Sequence, residues 1–125
     1  MKSKILLIDD EELVVKSISK LLSKEGYEVL VSRSGDDAID KASREVVDLI
    51  VCDVRMPGKN GVETIRRIRE ILKTMKRKPV REIFITGYAE EDIGREVESL
   101  QAADYLYKPF DTRDFLNCIK RNLEP

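Results

Sequence analysis

The sequence predicts an α/β domain, a doubly wound parallel sheet of five strands, and three observations predict it. Short apolar runs alternate regularly with stretches whose apolar residues recur at helical spacing. The runs at 5–8, 49–52 and 83–85 carry no polar position, as strands buried on both faces require. Each of these runs stops on a polar residue, which gathers polar groups along one rim of the sheet.

The elements follow in order. Lys4-Ile5-Leu6-Leu7-Ile8 is a strand that stops at Asp9-Asp10. Val14, Ile18, Leu21 and Leu22 then mark a helix that Gly26 closes. Glu28-Val29-Leu30-Val31 is a short second strand, and Ser34 caps the next helix, whose apolar stripe is Ala38, Ile39 and Ala42. Leu49-Ile50-Val51-Cys52 ends at Asp53. A turn at Pro57-Gly58, followed by Gly61, leads into a third helix marked by Ile65, Ile68 and Leu72. Ile83-Phe84-Ile85 ends at Thr86, and Ile93, Val97 and Leu100 mark a fourth helix with Gly94 inside it. Tyr105-Leu106-Tyr107 ends at Lys108-Pro109, and Phe115, Ile119 and Leu123 form the last helical stripe. Right-handed crossovers leave few topologies, and the order 2-1-3-4-5 fits best, with the more mixed second and fifth strands at the edges. That order opens a crevice at the carboxyl ends of strands one and three.

Composition narrows the function classes. The 125 residues suit one domain spanning 1–125, with no linker or repeat. Hydrophobic residues at 42% and charged residues at 38% are an ordinary folded mixture. Twenty-three basic against 24 acidic residues leave a net charge of −1, so no overall field favours nucleic acid or a membrane surface. No run is apolar enough to span a bilayer and Met1-Lys2-Ser3 opens no signal peptide, which points to the cytoplasm. Cys52 and Cys118 read as buried thiols of a reducing compartment. The chain has no histidine, which excludes imidazole catalysis and His-ligated metal.

The predicted rim collects Asp9, Asp10 and Asp53, with Thr86 and Lys108 delivered by strands four and five. Asp10 alone could cap the helix that follows it, but a cap needs one carboxylate and three converge here. Two unit charges about 4 Å apart repel by about 4 kcal/mol at an effective dielectric near 20, so the cluster calls for a cation. All-oxygen ligation suits Mg²⁺ better than zinc. Lys108 ahead of Pro109 at a strand end suits a fixed phosphate ligand, a position a cis peptide bond would hold. Thr86, followed by Gly87, is placed to offer its hydroxyl to an anion.

Four motifs now stand in order, each at a strand end: Ile8-Asp9-Asp10, then Asp53-Val54-Arg55-Met56-Pro57-Gly58-Lys59-Asn60-Gly61, then Ile85-Thr86-Gly87, then Tyr105-Leu106-Tyr107-Lys108-Pro109-Phe110. Over Lys4 to Leu123 the chain resembles the response-regulator receiver domains of two-component signalling, with their flavodoxin-like three-layer sandwich. The resemblance implies that Asp53 is the phospho-acceptor, taking a phosphoryl group from phosphohistidine. It implies Mg²⁺ held by Asp9, Asp10, Asp53 and the backbone carbonyl of Arg55. Lys108 and Thr86 would bind the phosphoryl oxygens, and Pro109 and Gly61 would be structural. Thr86 and Tyr105 would form the switch that remodels the surface of the fourth helix, the fifth strand and the last helix. Arg55 and Tyr88 would flank the path of attacking water. The implied partners are a sensor histidine kinase or phosphotransfer protein and a downstream effector protein or linked effector domain, with no direct nucleic acid or membrane.

Some features depart from the family. Gly87 stands where alanine is usual, and the segment from Asp53 to Thr86 is a few residues longer, the excess falling in Lys73-Thr74-Met75-Lys76-Arg77-Lys78. That basic stretch reads as a solvated helix end favoured by the macrodipole. Cys118 stands ten residues after Lys108, where many receivers of winged-helix transcription factors carry arginine, so a charged-pair dimer is not expected and the domain should be a monomer or weak dimer. With the last helix ending near Pro125, no output domain is expected in this chain. A flavin-binding domain of the same topology would need a phosphate-cradling loop where this chain has Asp9-Asp10-Glu11-Glu12. An aspartyl phosphatase would usually carry a second acid where this chain has Arg55. A receiver that only binds partners tends to lack one of the acids or the lysine, and all are present.

Overall fold

The computed structural model describes residues 2–56, 58, 60–86 and 98–123. Five parallel strands, β1 (Lys4–Ile8), β2 (Glu28–Ser32), β3 (Leu49–Asp53), β4 (Arg81–Thr86) and β5 (Asp104–Tyr107), form one sheet in the order β2-β1-β3-β4-β5. The predicted order therefore holds, with β2 and β5 at the edges. Between the strands run α1 (Glu12–Lys24), α2 (Gly35–Arg44) and α3 (Gly61–Thr74), and α4 (Thr112–Leu123) closes the chain.

Alternation along the central strands divides the core in two. Leu6, Ile8, Ile50, Cys52 and Phe84 face one cluster, which α2 and α3 cover with Ala38, Ala42, Ile65, Ile68 and Leu72. Ile5, Leu7, Leu49, Val51, Ile83 and Ile85 face the other, covered by Ile18 and Leu22 of α1 and by Phe115 and Ile119 of α4. Both faces are dry, so β1, β3 and β4 can read as continuous apolar runs without stickiness. Cys52 and Cys118 are free and buried, as expected. Most of the predicted fourth helix, including Ile93, Gly94 and Val97, lies outside the described residues. Residues 98–100 are helical and Leu100 is buried against the α3 side of the core.

The helix ends explain how the rim is built. Ser34 caps α2 by accepting from the Asp37 amide at 3.1 Å, as the sequence predicts. Gly26, at φ +92°, turns the chain out of α1. The N-cap of α1 is Glu11, with no side-chain cap, so Asp10 does not serve as a cap and its carboxylate is left to the rim. At α3 a reciprocal capping box joins Asn60 and Glu63, a signal legible in the spacing Asn60-x-x-Glu63.

Gly61 is the first residue of α3 for a steric reason rather than a conformational one. A Cβ there would meet the Asp53 carbonyl oxygen at 2.4 Å and the Val54 Cα at 2.9 Å. The missing side chain lets the helix start against the end of β3, and the Gly61 amide donates to the Val54 carbonyl at 2.9 Å. Replacing Gly61 with Ala therefore overpacks the backbone of Asp53 itself. The expected loss is about 2–3 kcal/mol in urea unfolding. Unchanged stability would show that the helix can retreat freely.

Candidate functional site

Asp9 and Asp53 end buried strands and are themselves buried, while Asp10 is half-buried at the mouth. One oxygen from each of the three lies within 4.8 Å of the others. Asp9 Oδ1 accepts from the Glu11 amide at 3.0 Å, whereas its Oδ2 is buried with no hydrogen-bond partner. A buried anionic oxygen left unsatisfied is costly, so the cluster has an open demand for a cation. Asp53 Oδ1 accepts from the Arg55 amide at 3.2 Å, and its Oδ2 lies 3.6 Å from Lys108 Nζ. The donors are all oxygen, which fits a hard divalent ion and not zinc.

The other predicted residues fall into two groups. Lys108 reaches Asp53 because β5 lies beside β4, and its amide donates to the Thr86 carbonyl at 2.8 Å across the two strand ends. The Lys108–Pro109 peptide bond is cis, as anticipated. Thr86 ends β4 at this rim, half-buried, and Arg55 is exposed two residues beyond Asp53. Tyr105 does not join the acids. It pairs in register with Phe84, its ring 6.4 Å from that of Phe84 and nearly parallel to it, half-buried on the α3 side of the core. Gly87 and Tyr88 lie outside the described residues.

Burial dominates the electrostatics. The Asp53 carboxyl is pushed up from 3.8 to about 6, first by desolvation and then by the charge of Asp9, with Lys108 and the Arg55 amide pulling the other way. The Asp9 carboxyl is also raised, again mainly by burial, against the hydrogen bond from the Glu11 amide. The site therefore holds its negative charge at a cost when no cation is present.

Two features went unforeseen. Asp104, the first residue of β5, is held within its own chain: its Oδ2 accepts from Arg121 Nε at 3.1 Å, from Asn122 Nδ2 at 3.1 Å and from Cys118 Sγ at 3.4 Å. Burial raises this carboxyl, but the hydrogen bonds from Arg121 and Asn122 more than offset that and leave it below its ordinary value. Arg121, one turn after Cys118, thus supplies the pairing that Cys118 cannot. The second is Glu82, buried in β4 and gripped by Arg69 of α3, which also donates to the Leu100 carbonyl at 2.7 Å. Nothing in the sequence marked Arg69 and Glu82 as partners.

Fold and site together define a class: doubly wound α/β domains whose switch-point rim gathers carboxylates beside a strand-end lysine. Residues 5–120 match the response regulator receiver domain, and the chain belongs to that family. It functions as a receiver in two-component and phosphorelay signalling. It is 31% identical over 123 residues to sporulation initiation phosphotransferase F of Bacillus subtilis strain 168, a match covering 98% of this chain and 95% of that protein. Among solved structures it resembles a CheY-like receiver domain from Methanospirillum hungatei JF-1, at TM-score 0.88 and 27% identity over 99% of this chain and 95% of the other. It also resembles the receiver domain of a sensor histidine kinase from Pseudomonas aeruginosa PAO1, at TM-score 0.87 and 26% identity over the whole of both chains. That structure has a magnesium ion coordinated in its active-site cleft. Among the described residues no helix is long and apolar enough to cross a membrane.

A raised folded-state value means that protonation of Asp53 favours the metal-free fold. This contribution is complete below about pH 4 and is lost as pH rises through about 6. Asp53→Asn should consequently be more stable than the parent in chelator at pH 7.5, by on the order of 1–3 kcal/mol, and should show no such gain at pH 4. Urea unfolding at the two pH values measures this. Equal stability at pH 7.5 would mean that the crevice solvates its charges better than its burial implies.

Proposed function

We propose that Asp53 accepts a phosphoryl group from the phosphohistidine of a sensor histidine kinase or phosphotransfer protein, within a single acceptor unit spanning the chain and working in the cytoplasm. The observation that carries this reading is the buried Asp53 carboxylate, joined by Asp9 and Asp10 on one side and by Lys108 Nζ at 3.6 Å on the other. In the transfer, the phosphorus–nitrogen bond to imidazole breaks as a bond forms to an Asp53 carboxylate oxygen, and the imidazole leaves with a proton. Asp9, Asp10, Asp53 and the Arg55 carbonyl would hold Mg²⁺, which when bound supplies positive charge to the phosphoryl oxygens. The ammonium of Lys108 balances a further part of that charge, and the Thr86 hydroxyl donates to a phosphoryl oxygen. The same groups assist the later attack of water, so the domain takes part in its own dephosphorylation without turning over a separate substrate.

Thr86 and Tyr105 couple this event to the surface. They sit on neighbouring strands, and Tyr105 lies against Phe84, two residues before Thr86 on β4. An inward shift of Thr86 frees room at the end of β4 into which Tyr105 turns, altering the face built by the segment before β5, β5 itself and α4. A downstream effector protein or linked effector domain docks on that face.

The assignment predicts one Mg²⁺-dependent phosphoryl adduct per chain on incubation with acetyl phosphate, read by intact-protein mass spectrometry. Asp53→Asn should abolish it, since the amide preserves volume but is not a nucleophile. Asp10→Ala should slow it by roughly 10²-fold or more, the scale of a lost metal ligand. Full labelling of Asp53→Asn, or full activity in chelator, would sink the assignment.

The intramolecular hold on Asp104 bears on output. With its carboxylate already engaged by Arg121, Asn122 and Cys118, Asp104 has little to offer a second copy, and the receiver stays a monomer or weak dimer. Light scattering at roughly 100 µM should report a monomer with and without beryllofluoride, because the Asp104 carboxylate is already engaged within its own chain. A mimic-induced dimer built on β5 and α4 would overturn this.

A further inference from the structure

The end of the sheet opposite the acids carries a feature that phosphoryl acceptance does not use. Around the loop from α3 to β4, two grooves of about 920 and 460 Å³ meet along Leu72, Arg77, Pro79 and Val80. Their floor is apolar, and their rim is cationic: Lys73, Lys76, Lys78 and Arg81 are all exposed. None of these four has a carboxylate partner among the described residues. The acids nearby are already engaged, Glu82 by Arg69, Glu45 by Lys4 at 3.5 Å, and Asp48 by the Lys4 amide at 2.7 Å.

The stretch is the exposed helix end that the sequence suggested, but one of its cations is tied down. Lys76 takes a left-handed φ of +57°, which turns the chain back toward α2. The Arg77 guanidinium then donates to the carbonyls of Ala42 and Ser43 at 3.0 Å and of Glu45 at 2.7 Å, fastening the loop to the end of α2. The cations flanking Arg77 are therefore displayed on a fixed frame, and little ordering cost remains for a partner to meet. In a chain of net charge −1, such a local excess of positive charge over an apolar floor is selective for one kind of occupant.

We propose that this double groove docks an acidic linear segment of a partner protein, its carboxylates meeting Lys73, Lys76, Lys78 and Arg81 and its apolar side chains seated on Leu72 and Val80. Nucleic acid fits less well, because among the described residues no aromatic side chain lines either groove to stack a base. The grooves lie beyond the amino ends of the strands, and the acceptor lies at their carboxyl ends. Occupancy therefore leaves the phosphoryl site accessible, and the surface can hold a partner before and after transfer.

The test uses ¹⁵N-labelled protein titrated at low salt with a synthetic peptide of roughly ten residues, enough extended chain to cross both grooves, half Glu with two spaced Leu. The amides of 72–81 should shift with a Kd below about 1 mM, and added salt should weaken binding. The variant Lys73→Glu, Lys76→Glu, Lys78→Glu should bind at least about tenfold more weakly, while its labelling by acetyl phosphate stays unchanged and shows the fold intact. Shifts absent from 72–81, or equal binding by the triple variant, overturn the proposal. So does tighter binding there of a single-stranded oligonucleotide, or concentration-dependent shifts of 72–81 without peptide, which would assign the face to nucleic acid or to a second copy.

Discussion

Everything at the working end of this receiver depends on mutual repulsion between carboxylates that the sheet forces together. Asp9 and Asp53 cannot separate, because each continues a fully buried strand and β1 pairs directly with β3. Asp10 follows Asp9 and is spared from capping α1, since Glu11 takes the N-cap position. A charge set of this kind in a crevice is stable only with compensating cations, and one of them is built in. Lys108 comes from the far edge of the sheet, two strands from β3, and reaches Asp53 across the carboxyl ends. The succession β3-β4-β5 is what brings that lysine to that acid.

The firm structure behind the site combines close packing with polar contacts. The Asp53 carbonyl is pressed against the start of α3 at Gly61, and the helix is fixed there by its capping box. Farther along α3, Arg69 ties the helix to Glu82 in β4 and to the Leu100 carbonyl. α3 thus links β3, β4 and the segment leading to β5.

The two ends of the sheet differ in how their charge is handled. At the carboxyl ends, acids are concentrated and desolvated, which raises the Asp53 carboxyl. At the amino ends, cations remain exposed around an apolar groove, and the acids that could neutralise them are engaged elsewhere. At the edge, Asp104 is tied down by Arg121. A net charge near zero conceals this segregation entirely.

By itself the sequence determined the sheet, its order and the membership of the acid cluster. Uniformly apolar runs can only be strands covered on both sides, and with parallel strands every run must end at the same rim, so Asp9, Asp53, Thr86 and Lys108 had to converge. Local rules also fixed Ser34 as a cap and Gly26 as a helix end, because those depend on neighbours within four residues. Tertiary structure decided whatever depended on partners far along the chain. Gly61 looked like a turn glycine, but its reason is the Asp53 carbonyl at 2.4 Å from any added Cβ. Arg77 looked like one more solvated cation and instead fastens to carbonyls more than thirty residues away. Nothing in the sequence paired Asp104 with Arg121, and the turn of α4 brought Arg121 to it. In each case residue type was legible and the partner was not, because a pattern of periods and caps carries direction along one element, while distance between elements is set only when the layers pack.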